Sequence, residues 1–314
     1  MKKKEQFKTT IGGQALIEGV YMRGPEKASI AIRKPDGGIY TETFEINPPP
    51  LKKVPLVRGV VSMIYSLISG YKSIMKSADI AFAEELEKIE ENEGQEDTDR
   101  AEKDEKKEDK LMNSAGVIGA VLGGLLSIAL FVVAPTFITG LIDKIFPLGG
   151  FKAAVEGVLK IILFLAYLFL VTRIKDIRRV FEYHGAEHKT IACYEAMDEL
   201  TPLRVKEYSR FHPRCGTSFL FLVVIVSIAI FSFIPFTGTL ARAGIKLLFI
   251  PVIMGIAYEI LRYAGRRSNL LSAILSAPGK WVQRLTAFEP DESQMEVAIA
   301  ALREVIPEGG ENAG

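Results

Sequence analysis

Apolar residues in this chain gather in long blocks, and charge-dense stretches separate the blocks. Four of them, over residues 116–142, 153–171, 218–236 and 245–261, are long and almost free of charge. A helix rises about 1.5 Å per residue, so about 20 such residues cross a hydrocarbon core of roughly 30 Å. Each block therefore predicts a membrane-spanning helix. The second is interrupted only by Glu156 and Lys160 near its start, and the fourth carries Lys246, Pro251 and Glu259. The expected fold is mainly α: a polytopic helical membrane protein of about four spans.

Shorter patterns fill the rest. Residues 27–46 predict a β-hairpin, with two alternating strands around Pro35-Asp36-Gly37-Gly38, whose proline and glycines supply the turn dihedrals. The glycine-rich run before it, from Gly12 to Gly24, matches neither GxGxxG nor a GK[ST] ending, so it is not a phosphate loop. Its glycines suit close approach of backbone to another surface. Residues 54–78 place Val57, Val60, Val61, Ile64, Leu67, Ile68, Tyr71, Ile74 and Met75 at helical spacing, while Arg58, Lys72 and Lys76 argue against a further span. This segment predicts an interfacial helix, or one packed on the bundle. Near the C-terminus, Asp291 and Gln294 have capping-box spacing ahead of a short amphipathic helix.

Charge and composition add boundaries. Residues 83–110 hold fourteen acidic and six basic residues, too polar to build a core. The net charge of +1 excludes a general attraction to nucleic acid, and two cysteines exclude a disulfide-stapled fold. The MKKKEQFKTT start has no apolar stretch behind it, so no cleavable signal peptide is expected. The chain thus divides into a cytosolic glycine-rich segment and hairpin (1–50), an amphipathic interfacial helix (51–82) and an acidic disordered linker (83–112). A four-span membrane domain follows (113–268), including a His/Cys loop over 173–217, and then C-terminal cytosolic amphipathic helices (269–314).

Basic flanks set the orientation. Arg173, Lys175, Arg178 and Arg179 follow the second span, and Arg262, Arg266 and Arg267 follow the fourth. Both termini and the 173–217 loop are therefore expected in the cytosol.

That loop carries the candidate chemistry. All three histidines, and both cysteines, fall between positions 184 and 215. His184 and His188 are four apart, so a helix puts both imidazoles on one face, able to share a metal ion. Pro213 forces a turn that lets His212 and Cys215 converge, and Cys215 stands at the start of the next helix, where the dipole favours thiolate. His184, His188, His212 and Cys215 form a ligand set for Zn²⁺, with Fe²⁺ as the alternative. The H-x-x-E-H spacing also matches the inverted zincin pattern, in which Glu187 would act as general base. Glu187 in a surface ion pair, a purely structural polar cluster, and Cys215 as a nucleophile with a histidine base are the competing readings. Glu195 shares the helical face and is a candidate ligand or supporting carboxylate. Glu259, Arg214 and Glu18 are further candidates to support the ligands from behind, with pairing of Glu259 to Arg262 as the plainer reading.

At these motifs the chain resembles the YqhQ-like family of uncharacterised bacterial membrane proteins, described as predicted metal-dependent enzymes. The resemblance rests on GGQALIEGVYMRGP at 12–25, EYHGAEHKTIACYEA at 182–196, HPRCGTSF at 212–219, YEILRYAGR at 258–266 and PGKWVQRLTAFEPDESQMEVAIAAL at 278–302. Tyr21 departs mildly from the methionine expected there. The resemblance implies a multi-pass protein of the bacterial cytoplasmic (inner) membrane and a divalent metal, with no substrate specified.

Two functions compete. One is a membrane metal-dependent hydrolase acting at the cytosolic face. The other is a non-catalytic assembly or scaffold factor with a structural metal site, whose cytosolic N-terminal region binds a membrane-protein partner. The bilayer is an expected partner in both. A transporter is disfavoured by the scarcity of intramembrane charge and the lack of a repeat.

Overall fold

The computed structural model describes residues 7–46, 53–83, 118–119, 121–234, 239–267 and 269–307. The expected acidic linker lies almost wholly outside them. The structure is predominantly helical with one small antiparallel sheet, and it divides into two compact units. The first comprises Met1–Phe82, Leu165–Val226 and Pro251–Gly314; the second comprises Ala83–Phe164 and Ser227–Ile250.

In the first unit a four-stranded meander, β1 (Gly12–Leu16), β2 (Gly19–Arg23), β3 (Lys27–Arg33) and β4 (Ile39–Glu45), runs in chain order. The expected hairpin is β3–β4, in register from Lys27↔Glu45 to Arg33↔Ile39, with Gly37 at φ +83° in its turn. The glycine-rich run, expected only as a close-approach segment, is itself the hairpin β1–β2. Its turn places Glu18 at φ +50°, a left-handed conformation uncommon outside glycine. The sheet is covered on both faces. On one, Val20, Met22 and Ala31 pack with Tyr183 and Ile191 of α4 (Lys175–Glu195) and with Met295, Ala298 and Leu302 of α8 (Glu292–Val305). On the other, Leu16, Ile30 and Ile32 pack with Ile80 and Ala81 of α1 (Val57–Ala81). Ser29 Oγ donates to the Ala301 carbonyl at 2.6 Å, fastening sheet to α8. The Asp291–Gln294 capping box is formed as expected.

α1 turns an unexpected side to its neighbours. It buries Gly59, Gly70, Ser73 and Ser77, and leaves Ile64, Leu67 and Ile68 exposed.

Helices α2 (Val121–Ile145), α3 (Lys152–Val171) and α6 (Thr239–Arg266) belong to the expected spans. Among the described residues, three helices are long and apolar enough to cross a membrane, with bounds Val121–Ile145, Gly149–Val171 and Gly244–Arg266. The third expected span, the block freest of charge, is α5 (Gly216–Ser232), only 17 residues. That is about 25 Å, short of the roughly 30 Å core. Within α2, Ala129–Val133 widens into a π-turn. Pro135 explains it: its ring displaces the preceding turn and it lacks an amide to close it.

In the second unit, Glu156 of α3 and Lys246 of α6 form an ion pair, each only 3% exposed. Thr136 of α2 donates to Glu156 at 3.1 Å and accepts from Lys246 at 3.0 Å, and Lys160 lies 3.2 Å from Glu156. Three helices of that unit are thus cross-linked at one carboxylate.

Candidate metal centre

The first half of α4 is charged and its second half is buried. Between them, His184 and His188 project from one face, with ring centroids 4.3 Å apart. α4 is held here by the chain after α7 (Leu270–Thr286), since the Phe288 amide donates to the Phe181 carbonyl at 2.9 Å. The crossing falls at Gly185, where a Cβ would overlap the Phe288 carbonyl oxygen. Gly185→Ala should therefore lower stability by about 1–3 kcal/mol through overpacking, seen as a lower melting temperature. An unchanged melt would show that the crossing is loose.

The crossing aims a carbonyl at the site. His184 Nδ1 lies 2.5 Å from the Thr286 carbonyl oxygen, and His188 Nδ1 lies 2.6 Å from that of Arg210. A carbonyl only accepts, so each Nδ1 carries a proton and each Nε2 is the ring nitrogen left to meet an ion. This is how metal-ligating histidines are generally oriented from behind. Cys215, just ahead of α5, completes the arrangement: its Sγ lies 3.1 Å from His184 Nε2 and accepts from Thr217 Oγ1 at 3.3 Å. One ligand atom each from His184, His188 and Cys215 fall within 4.8 Å of one another. Ligand bonds of about 2.0–2.3 Å bring such atoms onto one ion with side-chain adjustments only.

His212 comes close but faces elsewhere. Its ring centroid is 5.5 Å from that of His188, while its Nε2 lies 3.8 Å from Glu195 Oε2 and 3.5 Å from Arg214 Nη2. Gln283 of α7 clamps its backbone, accepting from the His212 amide and donating to its carbonyl, both at 2.8 Å. Glu195 is ion-paired with Arg214 and accepts from the Thr9 amide at 2.8 Å. Burial opposes ionisation of Glu195, but His212, Arg214 and that amide hold its carboxyl below the usual range. Burial lowers the pKa of His212.

Glu187 is buried against β1. Gly13 donates its amide to the Glu187 carboxylate, and a Cβ at Gly13 would press on Glu187 Cδ. The expected close approach of the glycine-rich run is therefore real, and its target is this carboxylate. The second oxygen, Oε2, is buried and has no hydrogen-bond partner among the described residues. Burial raises the Glu187 pKa against the pull of His188 and His184. Burial works against charge on His184 and Cys215 too. Even so, their mutual attraction, with Glu187 and Thr286 assisting, carries His184 up to about 9, and His184 and His188 hold the Cys215 thiol well below its usual range. Both shifts favour charge on this pair.

The remaining sequence candidates serve elsewhere. Glu18 pairs in a fork with Arg179 and accepts from Tyr183 OH at 3.1 Å, so it braces the start of α4. Glu259 is taken by Arg58 of α1, with Nε to Oε1 at 2.6 Å, rather than by Arg262. Thr286 and Gln283 were not foreseen. They act through a backbone carbonyl and an uncharged amide, and neither leaves a pattern in the sequence.

Fold and cluster together define a mainly helical protein with membrane-length apolar helices and a candidate metal centre of two histidines and a cysteine. The chain belongs to the family described as protein of unknown function, DUF1385, whose model matches residues 54–308. It is 34% identical over 310 residues to a Bacillus subtilis (strain 168) protein described as "Uncharacterized protein YqhQ", covering 96% of this chain and 94% of that one. No solved structure matches the chain.

Proposed function

We propose that this is a metal-dependent hydrolase of the bacterial cytoplasmic membrane, acting at its cytosolic face. The observation that carries the reading is the buried, unpartnered Oε2 of Glu187 beside a three-donor cluster. A carboxylate held with one free oxygen is disposed to take a proton. A structural polar cluster has every reason to satisfy that oxygen.

His184, His188 and Cys215 would hold the ion, Zn²⁺ first and Fe²⁺ as the alternative, given their mixed nitrogen and sulfur donors. Bound by three protein ligands, such an ion supplies a Lewis acid with an open coordination position. The protein's own contribution is then specific. The Thr286 and Arg210 carbonyls fix both imidazoles with Nε2 forward. Gly13 orients Glu187, whose free oxygen accepts a proton from the attacking water and later returns it to the leaving group. Glu195 and Arg214 keep His212 turned away, which favours an open site over a four-ligand structural knot. The basic residues after Val171 and after Leu261 support a cytosolic site and cytosolic termini.

Glu187→Gln keeps size and the Gly13 hydrogen bond but cannot accept the proton. The variant should retain the wild-type metal content and lose at least about a hundredfold in turnover, read as failed complementation of cells lacking the protein. Full complementation by a metal-loaded variant would remove Glu187 as base and leave the structural-site alternative standing.

A further inference from the structure

α7 has a reversed surface. It buries Ser272, Ser276, Gly279 and Gln283, and exposes Leu270 (78%), Ile274 and Trp281 (53%). At 100° per residue the exposed three fall within about 40° of one another, on the side opposite Gly279. The inner face is fully used. Gly279 packs so close to Ser218 that a Cβ would overlap its hydroxyl, and Gln283 and the Thr286 carbonyl hold His212 and His184. A large apolar stripe left outside such a fitted helix needs a partner.

We infer that α7 lies in the headgroup–acyl boundary of the bilayer, with Leu270, Ile274 and Trp281 among the acyl chains. The inference rests on the reading that α6 crosses the membrane. α6 ends at Arg266 and α7 starts at Leu270, so the chain has almost no length in which to leave the surface. Residues 260–288 contain no acidic residue and five basic ones, Arg262, Arg266, Arg267, Lys280 and Arg284, matching the anionic cytoplasmic leaflet. Lys280 and Arg284 both border the apolar stripe along one side, where a surface-lying amphipathic helix can carry its cations. Tryptophan is the residue that favours this depth. The exposed face of α1 repeats the arrangement, with glycines and serines inward and Ile64, Leu67 and Ile68 outward. The helix that positions both His184 and His212 is then itself a membrane-surface element, and the candidate metal centre lies directly beneath it.

Trp281 is the only tryptophan in the chain, so its fluorescence reports one position. The full-length protein is reconstituted in vesicles of phosphatidylcholine and phosphatidylglycerol, with and without acyl-chain-brominated phosphatidylcholine. Carbonate washing and flotation give an independent measure of insertion. Emission that is blue-shifted, strongly quenched by bromolipid and barely touched by aqueous iodide is the expected result. If the floated protein is quenched by iodide and not by bromolipid, the placement of α7 fails while the membrane reading stands. A blue-shifted emission that neither agent quenches means that protein, a second copy included, covers this face, and also overturns the proposal. Protein that does not float overturns both readings.

Discussion

Replacing Cys215 by serine should empty the protein of bound metal. Metal analysis of the wild-type protein should return about one divalent ion per chain, and the variant only a small fraction of that. A neutral hydroxyl is a poor substitute for thiolate, and two histidines alone leave half the coordination sphere of a tetrahedral ion unfilled. Outer partners of metal ligands already cost roughly 10–100-fold in affinity when removed, and a direct ligand should cost more. The fold should survive, because serine is close in size and the Thr217 hydroxyl beside Sγ at 3.3 Å has a hydroxyl to meet instead. His184→Ala should behave alike, with an added loss from the stranded Thr286 carbonyl. A Cys215→Ser protein with undiminished metal would end the ligand assignment. If it also lost function, the 3.1 Å contact between His184 and Cys215 would instead mark a nucleophilic thiolate with its histidine.

The second large effect concerns stability. Glu156→Gln removes the carboxylate that pairs with both Lys160 and Lys246 in this buried group. Breaking a buried pair from one side costs about 3–5 kcal/mol, so the variant should unfold at markedly lower temperature in detergent. The double variant Glu156→Gln, Lys246→Met also removes the buried ammonium that Glu156 pairs with, and should recover most of the loss. A double variant no more stable than the single would show that the pair is not what joins these helices. The sequence marked Glu156 and Lys246 only as interruptions in apolar blocks. Their meeting depends on helix register, which no local pattern encodes.

The site was legible where chemistry and spacing coincide. The four-residue interval of His184 and His188, and the turn forced by Pro213, were enough to place Cys215 beside them. His212 illustrates the limit: proximity followed from the turn, but its direction is set by Gln283, Glu195 and Arg214, which sequence distance hides. β3 and β4 showed themselves through alternation about a Pro-Asp-Gly-Gly turn. β1 and β2 did not, because β2 is buried at four of its five positions and reads as an undifferentiated apolar run. α5 shows a different limit: the apolar block of nineteen residues does not fix the bounds of its 17-residue helix, Gly216–Ser232.

The double coverage of the sheet has a consequence for biosynthesis. The sheet leaves the ribosome early, yet one face waits for α8, close to the C-terminal end of the chain, which supplies Met295, Ala298 and Leu302 and the carbonyl for Ser29. Throughout synthesis of the apolar helices, a hydrophobic face of the sheet stands uncovered, where it invites aggregation. A truncation before residue 292 should therefore be a chaperone client and a protease substrate, even with every apolar helix intact.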